Sequence, residues 1–212
     1  MTEFILGNIV GMVQTIVGYP LDTLKVIRQK EKYIKLVPLN PVRLYKGIQY
    51  PLLGNSIVNG ISFYTYNKTY QYTKSVTISG FMSGVCISPV LNIIEVYKVR
   101  SQLLLPMYER LFLAYKYTLL RESIACSFYF STYYKLKDNN INSFIGGALA
   151  GVASWTSTYP IDVIKTRIQS GIVLKEAINM GNYWRGYNFC IFRAILVNGL
   201  SFGIYDLSKN II

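Results

Sequence analysis

Asp22, Glu95 and Asp162 each stand three residues before a lysine (Lys25, Lys98, Lys165) and seven before a glutamine (Gln29, Gln102, Gln169). Residues three apart share a helical face, so acid and base can pair locally, which contributes tenths of a kcal/mol in water. The other reading of the residues alone is a set of solvated contacts to lipid headgroups. A second charged group, Arg121, Glu122 and Arg193, lies inside apolar segments. Charge at that depth is costly, so such residues face a wet cavity or one another and are site candidates by default. A salt bridge from Glu122 to either arginine is the purely structural alternative. No histidine occurs, and Cys86, Cys126 and Cys190 share no metal-type spacing. These counts argue against a zinc site, a disulfide framework and histidine-based catalysis. With no nucleophile, metal or cofactor motif, the chemistry on offer is reversible electrostatic contact, and an enzyme is not expected.

The elements that must position these charges are six apolar blocks, which carry most of the 51% hydrophobic content of a 212-residue chain. Six membrane helices of about 20 residues fit this length only if the loops are short. The spacing predicts helices at about 4–29, 47–70, 76–102, 115–137, 142–169 and 187–209. Gly7, Gly11, Pro20, Asp22, Lys25 and Gln29 recur with the same mutual distances as Gly147, Gly151, Pro160, Asp162, Lys165 and Gln169. Gly80, Gly84, Glu95, Lys98 and Gln102 form a third copy, with Ile93 in the proline slot and Pro89 one turn earlier. Glycine pairs four apart admit a close neighbour helix, and an internal proline bends the chain. The even segments keep register too, since Gly47, Ala114 and Gly186 stand sixteen residues before Phe63, Phe130 and Phe202.

The register resembles that of the mitochondrial carrier family, whose hallmark is a threefold repeat with Pro-x-Asp/Glu-x-x-Lys/Arg-x-Lys/Arg ending each odd-numbered helix. Ile27 stands where a basic residue is usual, with Arg28 beside it, and Ala114 where glycine is usual. The resemblance implies an all-α membrane protein, six transmembrane helices in three pseudo-threefold repeats (1–73, 74–140, 141–212) around a central cavity. It implies pairs between helices, Asp22 to Lys98, Glu95 to Lys165 and Asp162 to Lys25, closing the matrix end, with Gln29, Gln102 and Gln169 as braces. The opposite gate would fall on Asn67, Tyr70, Tyr134, Lys137, Asp206 and Lys209, where Asp206 faces Tyr70, Lys137 faces Asn67 and Lys209 faces Tyr134. None of those is an ion pair, so the resting protein is expected to be closed at the matrix end. Arg121, Glu122 and Arg193 match the family's substrate contacts, with Gly54, Ser62 and Trp155 as further lining. The junctions Lys46-Gly47 and Arg185-Gly186 correspond to cardiolipin sites, and a helix start beside a cation suits lipid phosphate.

A formal charge of +12 favours anionic lipid and anionic substrates alike. The chain opens on its first helix with neither a secretory leader nor an Arg-rich transit peptide, which suits a family targeted by internal signals. The expected protein is a monomeric, multi-pass carrier of the mitochondrial inner membrane, both termini toward the intermembrane space, exchanging a small charged metabolite by alternating access without a cofactor. The Arg121-Glu122 pair leans toward an amino acid or carboxylate. A nucleotide or deoxynucleotide, held by the arginines with its base on Trp155, is the alternative. A non-transporting scaffold of the same fold is a further one. Six long apolar segments argue against a nucleic-acid binder. The linker 102–114 is shorter than 29–47 and 169–186, leaving little room for a surface helix there.

Overall fold

A computed structural model describes residues 2–30, 41–106, 112–141, 143–193 and 197, with side chains except those of 2–11, 41, 143 and 144. The described structure is all helical. α1 runs Thr2–Lys30, α2 Pro41–Leu44, α3 Gln49–Thr73, α4 Val76–Gln102, α5 Tyr115–Asp138, α6 Ser143–Gln169 and α7 Leu174–Asn179. A further helical stretch opens at 187–193. Its continuation to residue 209, with Asp206 and Lys209, lies outside the described residues.

Five helices are 24 to 29 residues long, enough length to cross a bilayer at about 1.5 Å per residue. Among the described residues only α4 is also apolar enough to cross by composition. α3, α5 and α6 fall short because they carry Asn, Tyr, Ser and Thr, with cavity charges as well on α5 and α6.

Local chemistry explains the boundaries. α3 ends where Lys74 turns left-handed at φ 52°, and α4 starts after an extended Ser75 whose hydroxyl accepts from the Ile78 amide. The three anchors share one backbone state, φ 89° at Gly47, 63° at Ala114 and 84° at Gly186. That conformation is open to glycine but costs an alanine about 1–2 kcal/mol. Of the connectors, the one after α6 holds α7, which was not foreseen, while 103–106 and 112–114 hold no helix, as the short spacing implied.

α4 sits between α3 and α5, and small residues make this possible. A Cβ on Gly80 would stand 2.8 Å from the Cys126 carbonyl, and one on Gly84 would collide with the Glu122 carbonyl. On the other face, the Ser62 and Ser83 hydroxyls lie 2.8 Å apart. No Cβ-level contact is found for Gly147 or Gly151 among the described atoms.

Candidate functional site

The C-terminal turns of α1, α4 and α6 converge, and their charges meet across helices rather than within them. Lys25 Nζ lies 2.7 Å from Asp162 Oδ2, Lys98 Nζ 2.8 Å from Asp22 Oδ2, and Lys165 Nζ 2.6 Å from Glu95 Oε2. The local alternative survives only as a weak second contact, Lys165 to Asp162 at 3.8 Å. Prolines inside the helices, Pro20 and Pro160, precede two of these turns.

The glutamines behave unequally. Gln29 donates to Asp162 at 3.1 Å and to the Tyr159 hydroxyl at 3.3 Å. Gln102 donates to Thr23 at 3.1 Å instead of to the ring. Gln169 is fully buried, yet its side-chain amide has no hydrogen-bond partner among the described residues. One glutamine of the three therefore braces a ring acid.

Above the ring lies a cavity of about 240 Å³ lined by all six ring residues and by Arg121, Glu122, Trp155 and Arg193. The arginines are not free in it. Arg121 pairs closely with Glu122 and reaches Glu95 at 3.5 Å and Asp162 at 3.4 Å. Arg193 Nε stands 2.8 Å from Asp22 Oδ1. The Trp155 ring already carries two cations, Lys25 Nζ at 4.2 Å and the Arg121 guanidinium at 4.7 Å. Cation–π contacts of this kind contribute about 0.5–2 kcal/mol.

Two expected lining residues are corrected. Gly54 is buried against Ile94, and Ser62 is engaged with Ser83, so both serve the α3–α4 contact and neither lines the cavity. α3 instead presents Asn55, whose amide donates to Thr15 on α1 at 3.4 Å; both residues line the cavity. Asn55 occupies the repeat position of Glu122, eight residues after the anchor, a signal available in the sequence and passed over in favour of its neighbour.

Further tyrosines were missed although their dipeptide repeats. Tyr19, before Pro20, donates to the Lys46 carbonyl at 3.0 Å, and Tyr159, before Pro160, donates to the Arg185 carbonyl at 3.1 Å. Each locks an odd helix to the turn before Gly47 or Gly186. In the middle copy Asn92 holds that position and accepts from Thr118 at 2.7 Å. The lysine Lys46 is exposed and Arg185 partly buried at these turns.

At the opposite end Asn67 and Lys137 are both exposed, with no hydrogen bond between them among the described residues. Tyr70 and Tyr134 instead stack on Tyr66, at centroid distances of 6.0 and 5.8 Å, and Phe130 stacks on it at 4.1 Å. The predicted Lys137–Asn67 contact is replaced by rings because both polar side chains reach water while the tyrosines fill the space between α3 and α5.

The sequence is similar to those of known proteins. The family model for mitochondrial carrier proteins matches residues 137–182. The chain is 27% identical to the mitochondrial arginine transporter BAC2 of Arabidopsis thaliana, over 97% of this chain and 90% of that protein. Over nearly its whole length the chain is similar to mitochondrial carriers. The Schizosaccharomyces pombe mitochondrial ornithine transporter 1 is 23% identical over 93% of this chain and 88% of that protein. The human mitochondrial basic amino acids transporter is 25% identical over 93% of this chain and 79% of that protein.

Proposed function

We propose that this carrier moves a basic amino acid across the inner mitochondrial membrane, by exchange and through alternating access. The observation that carries the reading is the charge economy of the cavity. Its lining holds five cations (Lys25, Lys98, Lys165, Arg121, Arg193) and four acids (Asp22, Glu95, Glu122, Asp162). Asp162 has three cationic partners, Asp22 and Glu95 two each, and Glu122 has Arg121 alone. A substrate ammonium or guanidinium therefore meets least competition at Glu122. Arg193 is the arginine with the more exposed side chain, 29% against 9% for Arg121, and its partner Asp22 keeps Lys98 if a substrate carboxylate takes its place. Both substrate contacts replace an existing ion pair by a like one, so neither strands a buried charge. Asn55 is the α3 group placed to add a polar contact.

Transporters named for arginine, ornithine and basic amino acids among the relatives support the same assignment. A nucleotide fits less well. Its phosphates need uncompensated cations, and five bases against four acids leave a single positive charge. Its base would also have to displace Lys25 and Arg121 from the Trp155 ring.

In this reading six helices, in repeats 1–73, 74–140 and 141–212, surround the cavity. The three-pair ring closes the matrix end, the substrate site is at mid-depth, and both termini face the intermembrane space. The carrier works as a monomer, with cardiolipin phosphate held at the Lys46-Gly47 and Arg185-Gly186 turns. Purified protein in liposomes preloaded with unlabelled arginine should take up labelled arginine. Ornithine and lysine should compete, while nucleotides and dicarboxylates should not. Competition by nucleotides alone would move the substrate class, and no uptake of any of them would favour a scaffold.

A further inference from the structure

Two residues beyond each ring lysine, the chain places Ile27 on α1, Arg100 on α4 and Arg167 on α6. Arg167 is fully buried and donates Nε to the Gln29 carbonyl at 3.1 Å, at the end of α1. Its Nη1 and Nη2 continue to the carbonyls of Ala177 and Gly181, at 2.8 and 2.9 Å. Arg100, 3% exposed, donates Nη1 to the Gln169 carbonyl at 3.4 Å, at the end of α6, and Nε to Pro106 O at 2.7 Å. A guanidinium on the last carbonyls of a helix satisfies acceptors that have no intrahelical donor and opposes the negative end of the helix dipole. Each arginine thus clasps the C-terminus of the next odd helix around the ring: α6 holds α1, and α4 holds α6.

The remaining step runs from α1 to α4, where residue 27 is a buried isoleucine without a donor. Arg28 lies toward the other seam, its Cβ 3.6 Å from where a Cβ on Gly186 would sit, and no hydrogen bond from it to the end of α4 is present among the described residues. Between α1 and α4 the described contacts at this level are Lys98–Asp22, Lys98 over the Tyr19 ring at 5.3 Å, and Gln102–Thr23, none of them a guanidinium on a helix end. The Lys98 and Asp22 side chains are 19% and 17% exposed, against 10% and 5% for Lys25 and Asp162. The Lys165–Glu95 pair is 2% and 19% exposed and gains Arg121 as a second cation, as Asp22 gains Arg193, so a second cation does not distinguish the seams and the clasps do.

We infer that Arg100 and Arg167 are positioning residues that clasp two of the three seams between odd helices, and that Ile27 leaves the α1–α4 seam as the one where the ring parts. Opening then begins as a movement between α1 and α4, with α6 still held on both sides. The ring is threefold in its ion pairs and twofold in its clasps.

The test uses the full-length protein, substrate-free in lipid nanodiscs, so its outcome does not depend on the basic amino acid assigned above. Spin labels go on cysteine pairs across the three seams, Lys30→Cys with Leu104→Cys, Leu104→Cys with Val173→Cys and Lys30→Cys with Val173→Cys, after Cys86, Cys126 and Cys190 are replaced by serine. Pulsed electron paramagnetic resonance should give the broadest distance distribution, with a long-distance shoulder, for the Lys30/Leu104 pair. Ile27→Arg should remove that shoulder and raise Tm by about 2–4 °C, the shift expected for one hydrogen bond in a chain of this length. Arg100→Ile should move a shoulder to the Leu104/Val173 pair. Equal widths at all three seams overturn the inference, as does a folded Ile27→Arg protein that keeps the shoulder. If Ile27→Arg does not fold, Arg100→Ile decides: an unchanged Leu104/Val173 distribution overturns it too.

Discussion

The two ends of the helix bundle are held by different physics. Where α1, α4 and α6 converge, three ion pairs are supplemented by Arg121 and Arg193, so every ring acid serves at least two cations. Where α3 and α5 approach each other, Tyr66 lies 2% exposed among Phe130, Tyr134 and Tyr70, and its hydroxyl has no hydrogen-bond partner among the described residues. Ion pairs are directional and exchangeable: a substrate's charges can take one partner and leave another satisfied. Stacked rings are held by area and dispersion, and their strength changes little with what enters the cavity. The difference teaches that the charged end is built to be rearranged and the aromatic end to hold α3 and α5 against α4.

The strongest break of this contrast is a charge reversal in the ring. Asp162→Lys leaves Lys25, Lys165 and Arg121 facing a further cation, and losing one partner of a buried pair costs about 3–5 kcal/mol. Arginine uptake by proteoliposomes should fall more than about a hundredfold, since about 1.4 kcal/mol is tenfold. Adding Lys25→Asp should restore part of it. No recovery in this double variant, nor in the matching pair of Asp22→Lys with Lys98→Asp, would show that the pairs do not govern transport.

The second concerns the groups that the substrate must capture from the ring. Arg193→Ala should abolish uptake in a folded protein, and Glu122→Gln should cost roughly tenfold or more for arginine, the loss of one charge-assisted hydrogen bond. Unchanged uptake by Arg193→Ala and Arg121→Ala together would remove both from the site.

At the aromatic end the effect moves from transport to stability. Tyr66→Ala deletes the central ring and should cost about 3–5 kcal/mol, read as a fall in Tm of about 2–4 °C per kcal/mol. Tyr66→Phe should leave Tm unchanged or raise it, because the hydroxyl it removes has no partner among the described residues. A Tm loss for Tyr66→Phe as large as that for Tyr66→Ala would show that the hydroxyl, and not the stacking, holds the contact. The smallest expected effect is at the middle anchor. Ala114→Gly relieves the left-handed strain and should raise Tm by about 2–4 °C, while Gly47→Ala should lower it, its Cβ falling 2.7 Å from that of Ser101.

Much of this architecture is written in the linear pattern. Period and punctuation located the helices, and α4 begins and ends at the residues its spacing indicated, Val76 and Gln102, because cap, glycine pair and charged turn are local signals. The ring partners were implied by the family resemblance and not by the spacing, which left pairing within each helix equally open; distances between helices decide it. α7 was not legible: its helix is short, and Ala177 is fully buried beneath the Arg167 guanidinium, a contact between distant turns. The choice of Gly54 over Asn55 failed for a related reason, since one residue of helix is a turn of about 100° and only the position of Ile94 shows which of the two faces inward.

By itself, then, the sequence determined which side chains carry charge, at what depth and with what spacing, because these follow from residue type and the 3.6-residue period. The tertiary structure decided how those charges are shared. Coulomb partners are selected by distances between helices, so only the folded chain could show Arg193 on Asp22, Arg121 bridging Glu95 and Asp162, Gln169 without a partner among the described residues, and Arg100 and Arg167 on the ends of the neighbouring helices.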